Sequence, residues 1–345
     1  METWMAGERI EMRAQAAAGR WRHRTLPLGL LLMVLAPAPA ADAAMLTVGT
    51  GMQYRTVAGA VAAARDGDVI QVQAGTYTND FAIVGKKVSI VGVGGMARLV
   101  ATTAIGNGKA ILVTTTDVTL DHVEFAGARV ADRNGAGIRY EGGRLTVKKC
   151  YFHDNENGIL ANASATGTIS IAGSEFARNG YGDGYTHGIY ANRIASLTTT
   201  NSYFHDTRVG HHIKSRAAKT TVSGSRLVDG TNGTASYSID LPNGGQALVS
   251  GNIIEQSATS QNPALLHFGG EGTPYPGSSL KVTGNTLQNY RSPAVGLLNH
   301  TAITASVTRN KLYQLPNLVS GPSTQANNTT LSSPVAVSTK SPWAR

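Results

Sequence analysis

The feature that most constrains this chain is an internal repeat that begins near Val118. A large apolar anchor recurs at intervals of 23 to 33 residues, at Phe125, Phe152, Phe176, Phe204, Leu227, Ile254, Leu287 and Leu312. Five residues before the anchors stand Leu120, Val147, Ile171, Thr199, Val222, Val249, Val282 and Val307. Two residues before them stand Val123, Cys150, Ser174, Ser202, Ser225, Asn252, Asn285 and Asn310. A unit this short cannot bury its own apolar face, so the repeat predicts a solenoid of stacked units.

The composition and the turns indicate that the units are built from strands. The chain has 40 Gly, and only 15% of its residues are charged and 6% aromatic. Each unit contains two or more short β-branched segments separated by Gly, Asn or Asp, so a unit has no room for a helix. The units also lack the Leu-x-x-Leu-x-Leu pattern of leucine-rich repeats. Parallel crossovers are almost always right-handed. We therefore predict an all-β fold, a single-stranded right-handed parallel β-helix, with a short helix within 54–64 that caps its N-terminal end.

Three features resemble the right-handed parallel β-helix (pectate-lyase-like) superfamily over roughly Leu46 to Leu312. They are the opening Tyr54-Arg-Thr-Val…Asp66-Gly-Asp-Val-Ile-Gln-Val, the repeated Val-x-x-Ser/Asn-x-Phe/Leu pattern and the Ser-then-Asn column. The resemblance implies an internal asparagine ladder and places the chain beside pectate and alginate lyases. Ile213-Lys214-Ser215 also resembles, weakly, the alginate lyase and chondroitinase B group, which implies that Lys214 is a base. This chain has Asp240 where that group would place an Arg on the next coil.

The ends of the chain differ from its middle. Arg20, Arg22 and Arg24 precede the apolar run Leu26 to Leu35 and an Ala/Pro-rich exit, which predicts a signal peptide over 1–44 and a secreted or periplasmic protein. The run is too short to span a bilayer, so we expect no membrane span in the mature chain. We assign 45–314 to the β-helix and 315–345 to a Ser/Thr/Pro-rich tail or partial cap.

The charge balance indicates the kind of partner. Removal of 1–44 takes away five Arg and four acidic residues, so 25 basic and 17 acidic residues remain, a net charge of +8. Outside the cytoplasm, that charge favours an anionic polysaccharide over nucleic acid, although basic residues also serve solubility alone. The single Cys150 excludes an intrachain disulfide, and we expect a monomer.

The candidate site centres on the stretch Gly210–Arg216. If Ile213 and Ser215 point inward, strand alternation turns His212, Lys214 and Arg216 outward together. The same phasing applied to neighbouring strands brings further polar side chains to this face, from Tyr190, Asn192, Asp240 and His267. The loops 180–186 and 269–277 would flank the face as the lips of a groove.

These residue types suit elimination at a uronate sugar. Arg216 could clamp the sugar carboxylate, Lys214 or His212 could take the C5 proton, and Tyr190 or His267 could assist as acid. Asp240 lies beside Lys214, and we assign substrate contacts to Asn192, His187, Tyr185 and Glu271. The same residues would also fit C5 epimerisation; glycoside hydrolysis needs more central carboxylates.

Two simpler interpretations remain open. Lys214 and Asp240 could form an ordinary cross-strand ion pair on a polar sheet face, worth only about 0–1 kcal/mol. The chain would then be a non-catalytic glycan-binding or cell-envelope protein. We assign no metal ligands, because His211 and His212 point to opposite faces and cannot share one ion. Zinc at His187, His212 and His267 would require the loops to bend, and calcium bound by oxygens of Asp183 or Glu271 is favoured over it.

Overall fold

A computed structural model describes residues 43–230, 232–272 and 275–343. The signal-peptide prediction for 1–44 falls almost entirely outside the described residues. The described chain forms parallel strands that are stacked coil upon coil, with one short helix, α1 (Val57–Ala63). No helix in these ranges is long and apolar enough to cross a membrane.

The strands form three columns, each of which contributes about one strand per coil. The first column contains β1 (Met45–Val48), β2 (Val69–Thr78), β4 (Val88–Val100), β6 (Val118–Asp121), β9 (Arg144–Lys148), β12 (Ser164–Ala172), β15 (Ile194–Thr200), β18 (Lys219–Ser223), β21 (Gln246–Ser250), β24 (Ser279–Thr283), β27 (Ala305–Thr308) and β30 (Ser323–Ala326). The second contains β7 (Val123–Ala126), β10 (Tyr151–His153), β13 (Glu175–Ala177), β16 (Tyr203–His205), β19 (Arg226–Val228), β22 (Ile253–Gln256), β25 (Thr286–Asn289), β28 (Lys311–Tyr313) and β31 (Thr329–Thr330). The third contains β3 (Ala82–Val84), β5 (Ala110–Thr114), β8 (Ala136–Tyr140), β11 (Asn157–Ala161), β14 (Ile189–Ala191), β17 (Ile213–Ser215), β20 (Ile239–Leu241), β23 (Ala264–Phe268), β26 (Val295–Asn299) and β29 (Val319–Ser320).

The predicted inward columns are confirmed. Val147, Ile171, Val222, Val249 and Val282 are all buried at 0–1% exposure. Together with Thr199, which stands between Ile171 and Val222, they pair in register from coil to coil. The four Phe anchors stack face to face, with ring centroids 5.0, 4.6 and 4.7 Å apart. Stacked identical positions thus produce one continuous apolar core along the solenoid.

The polar column is also confirmed as a buried ladder. The backbone N–H of each member donates to the side-chain oxygen of the next, from Cys150 through Ser174, Ser202, Ser225, Asn252, Asn285 and Asn310, at 2.8–3.2 Å. Each Asn amide also donates to a strand carbonyl, as Asn252 does to Val222. Buried backbone groups at this turn therefore find partners without water.

Helix α1 is shorter than the predicted 54–64 segment. Thr56 is its N-cap, with Oγ1 accepting from Gly59 N, and the Asp80 carboxylate accepts from the first amides, Val57 N and Ala58 N. Val57 and Val61 pack into the end of the core. An acidic side chain at a helix N-terminus is stabilising, which fixes this helix against the first coil.

Strands continue past the predicted boundary at 314. The short strands β29, β30 and β31 pair with β26, β27 and β28, so the solenoid extends to Thr330. Residues 331–343, which we call the C-terminal strap, then run back along the outer face of the second column. Arg226 donates to the carbonyls of Ser338 and Lys340, and Trp343 packs on Tyr151 with ring centroids 5.9 Å apart.

Two Phe-His-Asp triplets occupy equivalent turns, as the repeat predicts. Asp154 and Asp206 both adopt the left-handed conformation, with φ of 55°. His153 lies between Asp154 at 2.8 Å and Glu124 at 3.1 Å, and His205 lies between two carboxylates in the same way. Burial alone would lower the pKa of both imidazoles, but the paired carboxylates outweigh it and raise them.

These two histidines should stabilise the protein most at acidic pH. A pKa raised above the unfolded value adds stability that is complete below the unfolded pKa, near 6.5, and disappears as pH rises through the folded pKa. We therefore expect the difference in unfolding free energy between the wild type and the double variant His153→Gln/His205→Gln to be larger at pH 5.5 than at pH 8.5. Urea unfolding at several pH values would measure it. A difference that is constant or grows with pH would contradict the prediction.

Candidate functional site

The site lies on the outer face of the third column, where polar residues replace the usual apolar ones on four successive strands. Tyr190 on β14, Lys214 on β17, Asp240 on β20 and His267 on β23 are direct register partners. Each follows an inward Ile or Leu by one residue, and strand alternation therefore turns it outward. Neighbouring strands lie about 4.8 Å apart, which places these four groups in a single row.

Lys214 sits between two carboxylates. Its Nζ is 3.1 Å from Asp240 Oδ2 and 2.8 Å from Glu271 Oε1. Burial alone would lower the pKa of Lys214, but the two carboxylates outweigh it and raise the pKa above its usual value. Lys214 therefore holds its proton at neutral pH.

Arg216 is held by groups from three directions. Its guanidinium donates to Tyr190 Oη at 3.0 Å, to Asn243 Oδ1 at 2.7 Å and to Glu271 Oε2 at 2.5 Å. The Tyr275 hydroxyl donates to the backbone carbonyl of Arg216 at 2.7 Å. With its fork geometry fixed in this way, Arg216 is prepared to bind a planar anion.

Asp240 and His267 form a buried carboxylate–imidazole pair. Asp240 is 2% exposed at its side chain, and its Oδ1 lies 2.7 Å from His267 Nδ1. Burial alone would raise the pKa of Asp240, but the hydrogen bond from His267 and the Lys214 charge lower it to about 2. The ionised Asp240 accepts a hydrogen bond from Nδ1–H of His267, and in a neutral imidazole this bond makes Nε2 the acceptor nitrogen.

A column of stacked rings lies next to this row and meets it at His267. The column runs through His187, His211, Tyr237 and His267. Successive ring centroids are 4.8, 5.3 and 4.5 Å apart. The backbone amides of His211 and Tyr237 donate to Nδ1 of His187 and His211, which leaves the proton of each ring on Nε2. His211 Nε2 then faces Asp240 Oδ2 at 3.5 Å, and burial lowers the pKa of His211 to about 4.

The prediction that His212 shares the outward face is wrong. Strand β17 begins at Ile213, so the alternation does not extend back to His212. The side chain instead turns into the solenoid, where Nδ1 lies 2.8 Å from Thr207 Oγ1 and Nε2 lies 3.0 Å from Asp229 Oδ1. His212 is fully buried and cannot reach a substrate.

The four residues predicted to contact substrate differ in burial and do not lie together. His187 is buried in the ring column, and burial lowers its pKa well below the usual value. Asn192 lies just after β14, where its Oδ1 accepts from Arg193 N at 2.8 Å. Tyr185 is 83% exposed on the 180–186 loop. Of this set, Glu271 alone contacts Lys214 and Arg216 directly.

Sequence reasoning did not predict the contacts that His211, Tyr237, Asn243 and Tyr275 make at this site, although the 269–277 loop, which carries Tyr275, was expected to flank it. A signal for the first two was present, because His187, His211 and Tyr237 each stand two residues before an inward Ile. Asn243 and Tyr275 lie in turns outside the repeat columns, and no spacing rule places them.

The described ranges contain no cluster of three or more His, Cys, Asp or Glu positioned to hold a metal ion. Glu271, one of the two residues considered for calcium, already carries two cationic partners. Asp183 accepts a hydrogen bond from the backbone of Tyr185 within its own loop. The donor set of these two residues does not fit the six to eight oxygens that calcium prefers.

Comparison with known proteins bears on the fold. A sequence profile described as "Right handed beta helix region" matches residues 88–254. A search of curated protein sequences found no significant match. An alginate lyase from Paenibacillus sp. str. FPU-7 superposes with a TM-score of 0.62 at 17% identity, over 81% of this chain and 99% of that one.

Two further solved structures are more distant. The PL6 family alginate lyase AlyGC gives a TM-score of 0.49 at 16% identity, over 86% of this chain and 41% of that one. The pectate lyase Pel9A gives 0.47 at 14% identity, over 84% and 79%. The profile match, the superposition and the coil-by-coil register agree that this chain folds as a right-handed parallel β-helix.

Proposed function

We propose that this protein binds an anionic polysaccharide built from uronate sugars and cleaves it by β-elimination or epimerises it at C5. One observation carries the proposal: Lys214 and Arg216, on the same outward face, converge on a single carboxylate, that of Glu271. A carboxylate is the group that distinguishes a uronate from a neutral sugar. The two cations would bind it and withdraw charge from it, which makes the C5 proton easier to remove.

The neighbours of this pair supply the remaining groups. Because Lys214 keeps its proton, we assign it to carboxylate neutralisation and proton donation, not to the base role that the resemblance implies. Tyr190, one strand away, and His267, two strands away, are the base candidates. Asp240 would hold the His267 ring in the orientation that leaves Nε2 free.

Elimination and epimerisation begin with the same step. The base takes the proton from C5, and the electron pair is stabilised on the carboxylate held by Lys214 and Arg216. In elimination the C4–O bond then breaks, the departing oxygen is protonated and a C4=C5 double bond forms. In epimerisation a proton returns to C5 from the opposite face, and no bond of the chain breaks.

A panel of polymers would test the proposal. We expect the purified protein to release ultraviolet-absorbing unsaturated products from at least one of alginate, polygalacturonate and glycosaminoglycans, with and without added calcium. Alginate comes first in the panel because the Paenibacillus protein is an alginate lyase. Exchange of solvent hydrogen into C5 without unsaturated product would indicate epimerisation. The absence of both reactions from every polymer would contradict an enzymatic function.

A non-catalytic glycan-binding or cell-envelope function is the alternative. It is favoured by the ion pairing within the site, since Lys214 pairs with Asp240 and Glu271, and Arg216 pairs with Glu271. Salt-sensitive binding without turnover, weakened equally by Lys214→Ala and Arg216→Ala, would support it.

We also propose that the protein is exported with 1–44 as its leader, acts as a monomer and uses α1 to cap the first coil. The basic flank before Leu26 supports export, and the packing of α1 on β1, β2 and β3 supports the capping role.

A further inference from the structure

Glu271 is placed differently from every other charged group of the site. It does not belong to the strand row, but comes from the Gly269–Gly272 turn that follows β23. Its side chain is 47% exposed, whereas those of Lys214 and Asp240 are 12% and 2% exposed. Of the two carboxylates that contact Lys214, the one that solvent reaches is thus the one that lies across both cations.

The turn around Glu271 is rich in glycine. Three glycines surround it, and Gly269 and Gly272 have φ of +76° and +101°, a region that favours glycine. Its backbone is held by few groups: Glu271 N donates to Pro242 O at 2.9 Å, and Asn243 Nδ2 donates to Glu271 O at 2.5 Å. Release of the carboxylate therefore requires no strand to move.

The two cations leave room for one carboxylate at a time. Lys214 Nζ takes one oxygen of Glu271 and Arg216 Nη2 takes the other, which is how a uronate carboxylate would be held. A second carboxylate brought to the same pair would meet the negative charge of Glu271. Lys214 and Arg216 lower the pKa of Glu271, although burial alone would raise it, so Glu271 is ionised at neutral pH.

We propose that the Glu271 carboxylate competes with the substrate carboxylate for Lys214 and Arg216. When a uronate binds, Glu271 leaves these two cations and the uronate carboxylate takes its place. This inference rests on the proposed function and refines it. A neutral sugar has no charge that could replace the Glu271 carboxylate, so the contact of Glu271 with Lys214 and Arg216 excludes neutral glycans. A uronate can replace the Glu271 carboxylate with its own. Glu271 thereby lowers the affinity for the correct ligand and raises the selectivity for anionic ones.

Glu271→Gln tests the inference, because it removes the charge and keeps the shape. Half-exposed ion pairs contribute modestly, so we expect the variant to bind a uronate trimer about three- to tenfold more tightly than the wild type. Isothermal titration with trimannuronate, triguluronate and trigalacturonate would measure the affinity, and maltotriose would serve as the neutral probe. Asp66→Asn is the matched control, since it makes the same charge change on the first coil; we expect it to alter affinity less than twofold.

The outcomes separate the inference from the function on which it rests. If the wild type binds a uronate trimer and Glu271→Gln binds it equally or more weakly, Glu271 is a ligand or a bystander and the inference is overturned. If neither protein binds any uronate trimer, the proposed function fails. In that case, the rate at which acetic anhydride modifies Lys214, followed by mass spectrometry, still tests the contact: an unchanged rate in Glu271→Gln would show that Glu271 does not shield the ammonium.

Discussion

Lys214→Ala should reduce kcat/KM on the polymer that the protein turns over by about a hundredfold to a thousandfold. The ammonium lies 3.1 Å from Asp240 Oδ2 and 2.8 Å from Glu271 Oε1, and removal of one preorganised donor from such a site typically costs about 10²–10³ in rate. Its loss also leaves Asp240, which is 2% exposed, with one cation fewer. Initial rates of product absorbance would measure the effect. Binding of the polymer should also weaken, because Lys214 holds the uronate carboxylate in the ground state, but it should fall less than turnover, because the charge on that carboxylate grows in the transition state.

Lys219→Ala is the matched control, because Lys219 lies on β18 of the same coil but faces solvent from the first column. It should leave the rate within about twofold of the wild type. Arg216→Ala should weaken both binding and turnover, since a uronate carries its carboxylate in the ground state as well. Unaltered activity in Lys214→Ala would move the catalytic role to Tyr190 or His267, which Tyr190→Phe and His267→Gln would distinguish.

Val222→Asp should lower the free energy of unfolding by about 4 kcal/mol or more, and it is the largest stability effect that we expect. Val222 is fully buried and pairs in register with Thr199 and Val249, so a carboxylate there would have no partner and no water. Because each coil packs only on its neighbours, the damage should spread to the coils on both sides. Urea unfolding followed by circular dichroism would measure the loss.

Thr221→Asp provides the comparison for that variant. Thr221 is the preceding residue on β18 and its side chain lies on the partly exposed face. The same carboxylate there should change stability by less than about 1 kcal/mol. Similar losses in the two variants would contradict the assignment of Val222 to the interior column.

The interior was predictable from the sequence because the same interaction recurs on every coil. The side chain at position 222 must pack against those at positions 199 and 249. The same requirement applies in eight repeats, so similar residues recur at this position of the repeat in the sequence. The outward row from Tyr190 to His267 was predictable for the same reason, since its register follows from the inward Ile column. The sequence therefore predicts well the features that recur from coil to coil.

The parts that were not predicted depend on where the repeat is interrupted. His212 differs from Lys214 because alternation applies only within the three residues of β17, and the chain bends just before it. Glu271 meets Lys214 because a turn crosses two coils, over a separation of 57 residues. Such contacts depend on the backbone path of single loops, and neither periodicity nor residue spacing determines that path.

The C-terminal strap has a consequence for the order of folding. Ser338 binds Arg226 across 112 residues, and Trp343 lies on Tyr151 near the middle of the solenoid, so the strap docks on a surface that must already be assembled. Contacts this remote in sequence close late, because loop closure costs entropy before it is repaid. Trp343 is also the only tryptophan after residue 44. In a chain prepared without 1–44, its fluorescence would report the docking of the strap, separately from the coil stacking that circular dichroism follows.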